Sequence, residues 1–124
     1  MVGVEVMEPA LKYPEIRENL RFYAKDLADN SWINRISDKN SSDNIDYIIH
    51  FFFDDTSLSE NPSGYIGLAL TGEAEVAAVK RLTNGLDSLL NLYGIDLSDM
   101  DYLAKPEWKD IARFAKELLL LIDN

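Results

Sequence analysis

Val79, Leu82, Leu86, Leu89 and Tyr93 recur at spacings of three, four, three and four, the cleanest periodicity in the chain. Side chains so spaced share one face of an α-helix, so this stretch demands apolar partners along more than four turns. Thr71 is placed to act as its N-cap, Glu73 and Glu75 fall in the positive first turn, and Gly94 supplies the stop. The pattern predicts a helix over 72–93. Gly85 lies inside it at a cost of about 1 kcal/mol against alanine, which points to a close helix approach there.

Two further stretches have the same period. Pro14 suits a first helical position, and Ile16, Leu20, Tyr23, Ala24 and Leu27 line one face of a helix over 14–28. Arg17, Arg21 and Lys25 form its solvated stripe. Pro106 opens a last helix with Trp108, Ile111, Ala112, Ala115, Leu118, Leu119 and Ile122 inward. Leu120 and Leu121 widen that face, so the helix is either deeply buried or offers surface to a partner. Residues 1–13 read as a loosely held arm, and Trp32, Ile33 and Ile36 as one extra apolar turn. Residues 37–43 read as a polar loop, and 95–105 as an acidic connector with Asp96, Asp99 and Asp101.

Residues 45–53 fit two periods. As a helix they carry a narrow polar stripe of Asp46, His50 and Asp54; as a strand, Ile45, Tyr47, Ile49, Phe51 and Phe53 make an apolar face. Helical neighbours and a possible N-cap at Ser42 favour the helix. The fold class is therefore all-α, a single domain over 1–124 with a bundle of about four helices. The alternative is α+β, with a short hairpin pairing 45–53 and 65–70. A chain of 124 residues suits one domain with a core of its own.

Net charge is −10, and it is unevenly spread. Between Asn40 and Val79 there are seven acids and no Lys or Arg; the other 15 acids are set against all 12 basic residues. Nucleic acid is excluded as a partner, since phosphate binding needs clustered Lys and Arg. A basic protein partner would be drawn to this surface. No run approaches the roughly 18 apolar residues of a membrane span, and the N-terminus lacks the basic and apolar regions of a signal peptide. A soluble protein is expected. With no cysteine, disulfides and thiolate chemistry are out, which fits the cytoplasm.

Candidate chemistry gathers around His50, the single histidine. His50, Asp54 and Asp55 are residue types that hold Mn²⁺, Fe²⁺ or Zn²⁺, but no second histidine unit joins them. The bland counterpart is a histidine bonded to a neighbouring aspartate at the core edge. No nucleophile elbow or phosphate loop is present, so the pattern names no catalytic set and no cofactor. For recognition, the candidates are Asp46, Asp54, Asp55, Thr56 and Glu60 on the acidic segment.

Phe53, Asp54, Asp55 and Thr56, then Pro62, Tyr65, Ile66, Gly67 and Leu70, form a pattern with Glu73, Glu75, Val76, Leu82 and Leu86. It continues to Tyr102, Leu103, Pro106 and Trp108. Over 46–122 this arrangement resembles a family of short, acidic, uncharacterised bacterial proteins, some of them immunity-protein-like. The resemblance implies an all-helical fold and brings no catalytic motif. Three functions stay open: a binding module of immunity or regulatory type with a basic partner, a metal-binding protein or metal-dependent enzyme, and a homo-oligomer joined through the C-terminal helix.

Overall fold

The computed structural model describes residues 11–29 and 43–123. Among these residues five α-helices follow in order: α1 (Pro14–Asp29), α2 (Asp43–His50), α3 (Glu73–Tyr93), α4 (Asp99–Leu103) and α5 (Trp108–Asp123). A π-helical turn, Phe51–Asp55, continues α2, and a 3₁₀ turn spans Pro62–Tyr65. Among the described residues there is no strand, only an isolated bridge between Ile66 and Leu70. The domain is all-α, and the hairpin alternative gives way to helix because residues 45–53 find their partners in the core. The turn expected at Trp32–Ile36, the Ser42 cap and residues 1–10 of the arm lie outside the described residues.

α5 packs along α1 on one side and α3 on the other. Leu20, Ala24 and Leu27 of α1, Val79, Leu82, Leu86 and Leu89 of α3, and Ile111, Ala115 and Leu118 of α5 are all buried in one core. α5 passes over Gly85, at a distance that leaves room for one methyl group. A Cβ there would stand 3.4 Å from Ile111 Cγ1 and from Phe114 Cδ2, so α5 seats itself against a position with no side chain. Gly94 ends α3 with φ +81°, and its N–H bonds to Leu90 O at 2.7 Å.

Arg17 departs from the solvated stripe expected of it. Its guanidinium makes a two-pronged pair with Glu75, Nη1 to Oε1 at 2.8 Å and Nη2 to Oε2 at 3.0 Å. It also donates to the carbonyls of Ala69 (2.9 Å) and Ile122 (3.4 Å). Three segments distant in sequence are thus tied at one partly buried point. The N-cap of α3 also differs from expectation: Gly72 takes that place, and the Glu75 carboxylate accepts the Thr71 N–H at 2.9 Å. Burial pushes the Glu75 carboxyl up, but the donors from Arg17 and Thr71 outweigh it and hold it below the ordinary value.

The connector at 95–105 is not featureless, because Ser98 caps α4 by accepting the Asp101 N–H at 3.2 Å. This places Asp99, fully buried, at the start of α2, where its Oδ1 accepts the Ile45 N–H at 3.2 Å. A carboxylate from another helix therefore satisfies a backbone donor in the first turn of α2. Tyr102 reinforces the corner by donating to Gly94 O at 2.6 Å.

Candidate functional site

α2 buries Ile45 and Ile48 and leaves Asp46 and His50 outward, as a 3.6-residue period requires. The next turn is wider. A π turn lets the adjacent Phe51 and Phe52 both reach the core, their rings 5.1 Å apart edge to face, with Phe51 also 5.0 Å from the Tyr23 ring on α1. Thr56 closes this turn. Its hydroxyl donates to Phe51 O at 2.7 Å and accepts the Leu58 N–H at 3.3 Å, so the side chain serves the backbone locally.

The Asp46–His50–Asp54 row survives the change of helix type. His50 Nδ1 lies 2.6 Å from Asp54 Oδ2, and Nε2 lies 3.6 Å from Asp46 Oδ2. Both ring nitrogens face carboxylates, and all three side chains are more than half exposed. The hydrogen bond to Asp54, then the charge of Asp46, raises the His50 pKa above 6.5, with slight burial opposing.

This row forms one wall of a groove of about 450 Å³. Asp46, His50 and Asp54 come from α2 and its π turn; Asp96 comes from the connector between α3 and α4. Ile45, Ile49, Leu97 and Tyr102 supply apolar surface beneath them, and Ile95, 73 % exposed, stands at the edge. The groove thus offers three carboxylates around an apolar floor. Such a surface suits a long cationic side chain, whose stem lies on apolar atoms while its head meets the acids.

The other sequence candidates lie elsewhere. Asp55 does not line the groove; its charge acts weakly on His50 and also on the Tyr23 hydroxyl, whose pKa is raised first by burial and then by Asp55 and Asp26. Glu60 borders a smaller hollow with Phe53, Ser59, Thr83, Asn84 and Asp87. Of the proposed metal ligands, His50 and Asp54 are together. Among the described residues no group of three or more His, Cys, Asp or Glu side chains is gathered as a metal cluster. Sequence reasoning passed over Asp96. Its signal was the acidic connector, but the chain does not announce that Asp96 faces outward while Asp99 turns inward. Among the described residues, no helix is long and apolar enough to cross a membrane.

A family model described as "Domain of unknown function (DUF7945)" matches residues 11–124. No curated protein and no solved structure matches the chain.

Proposed function

The chain belongs to the DUF7945 family, and we propose that it is a protein-binding module of immunity or regulatory type, acting in the cytoplasm on a basic partner. The observation that carries this reading is the groove, where Asp46, Asp54 and Asp96 surround the apolar surface of Ile45, Ile49, Leu97 and Tyr102. An arginine or lysine of the partner enters with its stem on the isoleucines and its head among the carboxylates. Arginine is the better fit, because its planar fork engages two carboxylates at once. The net charge of −10 steers such a partner from a distance, so association is fastest at low salt.

Asp55 and Glu60 contribute to that long-range field from outside the groove. Thr56 acts through the π turn that positions Asp54 rather than by touching the partner.

The test compares wild-type protein with the Asp46→Asn, Asp54→Asn, Asp96→Asn triple variant as baits in the native lysate. A basic protein held by the wild type, released by salt and lost with the variant is the expected result. A partner retained equally by both baits would sink the reading. The metal-binding alternative, with His50 and Asp54 as two ligands, is tested by elemental analysis of the purified protein; stoichiometric metal would revive it.

A further inference from the structure

We propose that Tyr102 is the positioning residue of the acidic groove: its hydroxyl fixes the short segment that carries Asp96, and so the place of that carboxylate relative to Asp46 and Asp54. The inference rests on the groove reading above and adds to it the residue that gives the groove its shape. Two of the three acids need no such help. Asp46 lies on α2 and Asp54 on its π turn, where the helical backbone sets their places. Asp96 lies between α3 and α4, outside any helix. Among the described residues, Ile95, Asp96 and Leu97 make no hydrogen bond to another backbone group.

Tyr102 supplies the tether. Only 2 % exposed at the base of the groove, it donates its hydroxyl to Gly94 O at 2.6 Å and is also hydrogen-bonded to the Leu97 backbone. One hydroxyl therefore holds the segment on both sides of Asp96. Gly94 permits the bend, since its φ of +81° lets the chain leave α3 sharply. From the far side, Asp99 fastens α4 to α2 by accepting the Ile45 N–H at 3.2 Å. The phenol also registers the acids above it. Burial is the first cause that raises its pKa, the Leu97 bond opposes, and the charges of Asp96, Asp46 and Asp99 raise it further.

Affinity for N-acetyl-arginine amide, read by amide shift titration, tests this in the wild type, Tyr102→Phe, Asp96→Asn and the double variant. Tyr102→Phe keeps the ring in the core and removes only the hydroxyl. It should weaken binding about fivefold, within the range of coupling between residues of one network. In the Asp96→Asn background it should have no further effect. Without any probe, hydrogen exchange at Leu97 should quicken in Tyr102→Phe while exchange at Ile45, held by Asp99, stays as it was. Affinity unchanged in Tyr102→Phe but reduced in Asp96→Asn overturns this inference and leaves the groove reading standing. So does equal weakening in both backgrounds, which would mean general loosening, or Leu97 exchange that does not change. A wild type that binds no arginine overturns the groove reading itself, and this inference with it.

Discussion

Two of the pairs between a basic side chain and a carboxylate have opposite consequences. Arg17 and Glu75 are 58 residues apart in sequence and meet with side chains only 19 % and 5 % exposed. His50 and Asp54 are one helical turn apart and meet at 51 % and 61 % exposure. The first pair joins α1, α3 and the end of α5, and Ala69, Ile122 and Thr71 add further hydrogen bonds to it. The second joins neighbours on one helix and leaves carboxylate oxygens facing a groove. Burial and a shared hydrogen-bond network make an ion pair part of the architecture; exposure leaves it available for recognition.

The comparison breaks first at Arg17. Arg17→Ala leaves Glu75 buried without its cation, and urea unfolding should show a loss of about 3 kcal/mol or more. The pH dependence has a definite sign. The folded-state pKa of Glu75 is depressed, so its stabilisation is complete above the ordinary value of 4.5 and is lost as pH falls through the folded value. Glu75→Gln should therefore flatten the acid limb of the stability profile. Asp99 comes next: Asp99→Ala leaves the Ile45 N–H without that acceptor, at a cost of about 2 kcal/mol. Hydrogen exchange at Ile45 should quicken before exchange in α3 does.

Gly85→Ala runs the other way. The added Cβ makes ordinary contacts with Ile111 and Phe114, and relief of the glycine in mid-helix should stabilise the protein by up to about 1 kcal/mol in the same assay.

The smallest effect is at the exposed pair. The His50 pKa is raised in the folded state, so any stabilisation from its protonation is present below 6.5 and lost as pH rises through the folded value. NMR titration of the imidazole should give a midpoint above 6.5, and Asp54→Asn should lower it without moving the thermal midpoint. A large loss of stability with Asp54→Asn would erase the distinction between the two pairs.

How much of this could be read in the sequence follows from range. The faces of α3 and α5 and the Gly94 stop depend on neighbours within a few turns, and were legible; the approach at Gly85 showed only as a glycine in mid-helix, and its partner, α5, did not. The helical character of 45–53 was only half legible. Spacing by four fits strand and helix alike, and what decides is burial of Ile45, Ile48, Phe51 and Phe52 together with a carboxylate arriving from α4. Arg17 looked solvated because its partner lies in another helix. Within the site, the row Asp46, His50 and Asp54 was visible as a period, whereas Asp96 enters only through the fold. Thr56 was visible beside Asp54 and Asp55, whereas its bond to Phe51 O enters only through the π turn.

What sets the acids of the Asp46–Asp54–Asp96 groove apart from the buried acids, under the proposed function, is that they are open to a cationic side chain. Amide chemical-shift mapping with N-acetyl-arginine amide tests it most directly. Shifts should be confined to Ile45, Asp46, Ile49, His50, Asp54, the segment 95–97 and Tyr102, and abolished by the triple asparagine variant. Shifts spread evenly over all exposed acids, or centred on Glu60 and Asp87, would contradict it.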